Sequence, residues 1–181
     1  MSGVETIENV FIPLSDGTKL AARLWLPAQA RRPAPAILEY IPYRKRDGTR
    51  WRDEPMHGYF AAEGYAVVRV DIRGSGDSDG LLADEYLELE QDDALEVIAW
   101  IAARDWCDGG VAIIGKSWGG FNALQIAARR PLALKAIVPV CFTDDRYADD
   151  VHYLGGCLIT DNLWWGATML AYQARPTTDC R

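Results

Sequence analysis

Val111-Ala112-Ile113-Ile114-Gly115-Lys116-Ser117-Trp118-Gly119-Gly120 is the stretch on which the fold turns. An apolar, β-branched run ends in a G-x-S-x-G turn and passes into a segment with helical character over residues 118–130. It reads as a strand, a sharp turn with one serine at its apex, and a helix. Gly115 and Gly119 let the backbone turn tightly without a Cβ clash, so the hydroxyl stands clear of the sheet. Gly120 adds a position where the new helix can approach neighbouring backbone. Ser117 is therefore the candidate nucleophile for acyl transfer. An incidental serine in a strand–turn–helix is the alternative until a base is found for it.

The same residues carry a second pattern. Gly110 to Ser117 formally satisfies G-x-x-x-x-G-K-[ST], a phosphate-binding loop with Lys116 as its lysine. In such a loop the strand precedes the first glycine, and the four intervening residues wrap the phosphates. Here those four are Val111, Ala112, Ile113 and Ile114, which are strand formers, and Asp108-Gly109-Gly110 is expected to be the turn that launches the strand. The remote NTPase alternative predicts ATP binding that is lost on Lys116→Ala. Residues 71–80 invite a dinucleotide-binding reading through Gly74-x-Gly76, but Asp79 stands where G-x-G-x-x-G needs its third glycine. A structural glycine-rich loop at the carboxyl edge of the sheet, braced by Asp71 and Arg73, is the expectation.

Composition narrows the class. The chain has 181 residues, 49% of them hydrophobic, enough for one domain with a substantial core. A net charge of −7 without a basic stripe argues against nucleic acid or an anionic membrane as partner. Residues 1–10 lack the basic start and apolar core of a secretory signal, and no apolar run is long enough to span a bilayer. Cys107, Cys141, Cys157 and Cys180 show no C-x-x-C spacing, which points to free thiols in a reducing cytoplasm and to neither zinc nor a redox pair. No cofactor or metal is implied.

Along the chain a hairpin gives way to β/α alternation. Residues 4–13 and 19–26 are extended segments joined by Ser15-Asp16-Gly17 and read as an antiparallel hairpin at a sheet edge. Strands follow at 36–41, 65–72 and 111–114, with a further buried strand at 134–141. Between them lie a polar connection over 42–53, a short helix at 55–63 ended by Gly64, and a longer helix at 84–104. In that longer helix Ala94, Val97, Ile98 and Ile101 form one apolar stripe. The elbow helix ends before Pro131. Such alternation implies parallel crossovers and a three-layer α/β sandwich.

Four stretches together now carry a resemblance. Ile41-Pro42-Tyr43-Arg44-Lys45, Asp71-Ile72-Arg73-Gly74-Ser75-Gly76-Asp77-Ser78-Asp79-Gly80, Asp105-Trp106-Cys107-Asp108-Gly109 and the elbow occur in one order across most of the chain. The chain resembles the N-terminal catalytic segment of the X-prolyl dipeptidyl-peptidase and cocaine-esterase family of serine hydrolases, which includes the α-amino-acid ester hydrolases. The resemblance implies an α/β-hydrolase fold, a mostly parallel sheet with an N-terminal antiparallel hairpin. It also implies acyl transfer to water from a small-molecule ester or X-prolyl peptide through an acyl-Ser117 intermediate. Tyr43 would donate its hydroxyl to the oxyanion beside the backbone N–H of Trp118. Residues 1–143 would be the N-terminal part of the catalytic domain, and 144–181 the start of a helical cap.

The resemblance also shows what to look for and not find. The triad order in such hydrolases is Ser, then Asp or Glu, then His. His152 is the only histidine after Ser117, and it falls early, inside the expected cap. The expectation is that triad acid and base lie beyond residue 181, making this chain an inactive N-terminal part of a larger enzyme. A runner-up uses His152 as base with Asp144 or Asp145 as its orienter. A non-catalytic binding fold retaining the elbow is the competing class. By resemblance Asp150, with Asp149 beside it, would bind a substrate ammonium group; ordinary charge at a helix N-terminus is the alternative. Leu163-Trp164-Trp165, Met169, Leu170 and Tyr172 would give an apolar cap face, and uncovered apolar surface is expected to make the chain self-associate.

Overall fold

The structure, a computed structural model, describes residues 3–176. Strands β1 (Glu5–Pro13) and β2 (Lys19–Leu26) form the expected hairpin, with Pro13 opposite Lys19, and Gly17 supplies a left-handed φ of 88° in its turn. Strands β3 (Ala34–Ile41), β4 (Ala66–Asp71), β5 (Cys107–Lys116) and β6 (Leu134–Val140) are mutually parallel, and β2 joins them by pairing antiparallel to β4. The six strands run β1-β2-β4-β3-β5-β6 across the sheet. Crossovers carry helices α1 (Arg50–Ala62), α2 (Glu88–Ala102) and α3 (Trp118–Ala128).

Alternation along β4 sets the layers. Val68 and Val70 enter the main core with Ala94, Val97, Ile98 and Ile101 of α2 and Ala123 and Ile126 of α3. Val67 faces the other way, against Ala61 of α1 and Trp25. The α1 face of the sheet also carries charge. Arg69, between Val68 and Val70, pairs with Asp53 at 3.2 Å, and Glu39 of β3 takes Arg52 at 2.7 Å and His57 at 3.0 Å. Each charge in this buried knot has a partner, which offsets its loss of hydration.

Several boundaries differ from expectation. Helix α1 begins at Arg50 and holds Pro55 in its interior. The ion pairs of Arg52 and Asp53 fix the first turn, and this tertiary anchoring outweighs the backbone bond that proline forgoes. Strand β5 reaches back to Cys107, so 108–110 are not the turn before it. They form an irregularity in the ladder to β3, where Asp108 Oδ1 accepts the Gly110 N–H at 2.8 Å. Residues 84–87 precede α2 as a loop. Strand β6 is a correction: expected to be buried, it is an edge with Val138 51% and Val140 41% exposed, because no strand pairs with its outer side among the described residues.

Beyond β6 a two-rung hairpin, β7 (Tyr153–Leu154) and β8 (Cys157–Leu158), leads into α4 (Asp161–Gln173). Met169 of α4 joins the main core, and Gln173 Nε2 donates to the Pro42 carbonyl at 3.0 Å. No helix among the described residues is long and apolar enough to cross a membrane.

Candidate active site

Ser117 follows β5 and precedes α3 with φ 56° and ψ −117°, a conformation that is costly for a residue with a Cβ. Backbone bonds hold it there. Its N–H donates to the Val140 carbonyl at 2.8 Å, and its own carbonyl accepts the N–H groups of Gly120 (2.7 Å) and Phe121 (3.1 Å). The flanking glycines answer to space. A Cβ on Gly115 would meet the Gly119 carbonyl carbon at 2.3 Å, and one on Gly119 would meet Ile41 Cγ2 at 2.7 Å. The serine side chain is thus presented at the N-terminus of α3, where the helix dipole favours negative charge.

Tyr43 arrives from the loop after β3, and its hydroxyl lies close enough to the Ser117 side chain and the Trp118 backbone N–H for both to favour its ionised form. Burial pushes the phenol up to about 12, against that pull, so it remains a protonated donor at neutral pH. Trp165 and Tyr172 of α4 pack against its ring, with centroids 6.1 Å away in each case. The next residue, Arg44, ties this loop to α4: its guanidinium donates to the carbonyls of Tyr172, Arg175 and Pro176, the C-terminal end of that helix.

A cavity of about 420 Å³ opens beside Trp118, walled by Glu85, His152, Asn162, Trp165 and Met169 among others. Residues 162, 165, 166 and 169 recur at helical spacing, so one face of α4 roofs it. Glu85 organises its polar side. It accepts the Trp165 indole N–H at 2.6 Å and lies 3.1 Å from His152 Nε2 and 3.5 Å from Arg146.

Of the remaining expected residues, His152 lines this cavity and the aspartates do not. Asp150 is buried at its carboxylate and paired with Arg146 at 3.1 Å, while Asp149 is exposed. Asp144 and Asp145 are exposed, and Asp145 caps the Tyr147 and Ala148 N–H groups. His152 therefore faces Glu85 and has neither aspartate as orienter. Neither histidine is hydrogen-bonded to Ser117: His57 sits in the α1 knot against Glu39, and the His152 ring lies against Glu85. The phosphate-loop alternative fails on geometry, since Val111 to Ile114 are paired strand residues whose N–H groups serve the ladder. Glu39, Asp53 and His57 come close enough to hold a cation, but Arg52 and Arg69 already neutralise those carboxylates.

Two carboxyls were not foreseen. Glu85 lies on a loop and gave no periodic signal. Glu90 falls four residues before Ala94, on the stripe of α2 that faces the core, and an acid in that register was the available sign. Burial raises it to about 7, although the Trp118 indole and the Tyr86 N–H both donate to it.

Known proteins are similar to this chain in sequence and fold. Cocaine esterase of Rhodococcus sp. (strain MB1 Bresler) is 36% identical over 163 residues, 88% of this chain and 28% of that protein. The crystal structure of a CocE/NonD family hydrolase from Staphylococcus aureus superposes with a TM-score of 0.82 at 22% identity, over 98% of this chain and 35% of that one. An α-amino acid ester hydrolase structure gives 0.75 at 26% identity, over 94% and 30%. The chain thus spans under a third of the length of the curated relative it matches. The sequence profile of the X-Pro dipeptidyl-peptidase (S15) family covers residues 16–180, which with the hydrolase fold and the elbow establishes that the chain belongs to that family.

Proposed function

We propose that this chain supplies the nucleophile and oxyanion hole of a serine hydrolase that transfers an acyl group from an ester or X-prolyl amide to water. The observation that carries this reading is the convergence of Ser117, the Tyr43 hydroxyl and the Trp118 N–H at the strained elbow. Attack by Ser117 Oγ on the carbonyl carbon puts negative charge on the carbonyl oxygen. Both donors then turn to that oxygen, each worth about 3–4 kcal/mol in the transition state. Collapse expels the alcohol or amine and leaves acyl-Ser117, which water cleaves. The cavity beside Trp118 takes the substrate, and α4 covers it.

Ser117 needs a base to give up its proton, and the two imidazoles of the chain are engaged elsewhere. The base and its orienting acid come from outside these residues, and the isolated chain is inactive. Hydrolysis of a p-nitrophenyl acyl ester by purified chain, beside Ser117→Ala and His152→Ala, tests this. Rates equal in all three support it; turnover lost in both variants would mean that His152 reaches Ser117 and the site is complete here.

A further inference from the structure

Glu90 accepts from two donors and ion-pairs with no cation among the described residues. Its Oε1 accepts the Trp118 indole N–H at 2.8 Å and its Oε2 accepts the Tyr86 N–H at 3.2 Å, with the Asn122 amide close by. Trp118 opens α3, so this one side chain holds the first turn of the elbow helix. Asn122 continues the tie to the sheet through the Tyr40 carbonyl at 3.1 Å, and the Tyr40 hydroxyl donates to the backbone carbonyl of Glu90 at 3.2 Å. The Tyr86 ring lies 5.0 Å from those of Trp118 and Phe121 and closes the other side of the indole.

A backbone held at φ 56° persists only where its surroundings over-determine it. The bonds of the Ser117 carbonyl to Gly120 and Phe121 close the turn that contains Trp118 and hold its backbone from one side. The bond of its indole to Glu90 anchors the same residue through its side chain, and its backbone N–H is the group directed at Tyr43. From this geometry, and resting on the oxyanion-hole reading above, we propose that Glu90 is a positioning residue: through the Trp118 indole it sets the direction of the Trp118 backbone N–H.

A carboxyl in this place responds to pH. Burial raises Glu90, and the groups facing it are Glu85 and Tyr86 from the loop, Tyr40 from β3, and Arg73, Asp84 and Asp93 around a small cavity at its side. Arg73 is engaged by Asp93 at 2.7 Å, so it leaves Glu90 uncompensated.

The experiment uses the full chain with ¹⁵N-labelled tryptophan, assigning Trp118 among its seven tryptophans by Trp118→Phe. The expected result is an indole N–H signal of Trp118 that titrates near pH 7 in the parent chain and is flat in Glu90→Gln, which keeps the acceptor oxygen. Glu90→Ala shifts the Trp118 backbone amide as well and, with imidazole added as external base, slows phosphonylation of Ser117 by a fluorophosphonate about tenfold, while Glu90→Gln restores the rate. A folded Glu90→Ala chain whose Trp118 amide and labelling rate match the parent would overturn the proposal. Tyr43→Phe, run in parallel, separates the two ideas: if it too labels at the parental rate, the oxyanion-hole reading fails independently.

Discussion

Gly115 and Gly119 stand face to face across the elbow, so close that a Cβ on the first would lie 2.3 Å from the carbonyl carbon of the second. The turn is therefore set by the absence of two side chains, and the strain is carried by Ser117 between them. Gly115→Ala must push strand from helix, and about 2–3 kcal/mol of stability is expected to go. Gly166, on the exposed part of α4 with nothing near its Cβ position, is the control: alanine there should gain about 0.5–1 kcal/mol. Urea denaturation of both variants checks the contrast.

Tyr43 should act as a donor over a wide pH range. With its phenol held at about 12, no loss of activity from its ionisation is expected below about pH 11. Tyr43→Phe keeps the ring contacts with Trp165 and Tyr172 and removes only the hydroxyl. It should leave the melting temperature within a few degrees and slow imidazole-assisted phosphonylation of Ser117 by about 10²-fold. Paired calorimetry and fluorophosphonate labelling kinetics would show whether the two effects separate.

Glu90 gives the fold a pH dependence of definite sign. The folded chain binds this proton more tightly, near 7 against an ordinary 4.5. Its contribution to stability is therefore full below pH 4.5 and is lost as pH rises to 7, by about 3 kcal/mol. Denaturation at pH 5, 6, 7 and 8 should show the parent losing stability relative to Glu90→Gln by about that order as pH rises. Parallel pH profiles for the two proteins would refute the assignment.

How much of this was legible in the sequence depended on whether a signal was local. The hairpin, the β/α alternation and the elbow were read from apolar runs and glycine placement, because turn and strand preferences act over a few residues. The start of α1 was hidden, since Pro55 says stop while Arg52 and Asp53 are anchored by Glu39 and Arg69, distant in sequence. Ser117 could be read from its motif, and Tyr43 from family resemblance alone. The environment of Asp150 could not: its partner Arg146 lies one helical turn away, but the burial that makes the pair close comes from tertiary packing. Glu85 and Arg44 take part of their roles from where α4 docks, through Trp165 and the Tyr172 carbonyl.

The edge of β6 should govern behaviour in solution. Val138, Val140, Leu163 and Trp164 are all exposed, and β6 offers unpaired backbone groups on its outer side. Concentration-dependent self-association is expected in sedimentation velocity, reduced by Val138→Lys. A single monomeric species at all concentrations would contradict it.

The most direct measurement is of Ser117 itself. Purified chain is exposed to a fluorophosphonate with imidazole added as external base, and the adduct is located by peptide mass spectrometry beside Ser117→Ala and Tyr43→Phe. The account predicts one imidazole-dependent adduct, on Ser117, absent from the alanine variant and slowed about 10²-fold without the Tyr43 hydroxyl. Labelling of the parent chain no faster than Ser117→Ala, or an adduct elsewhere, would contradict it.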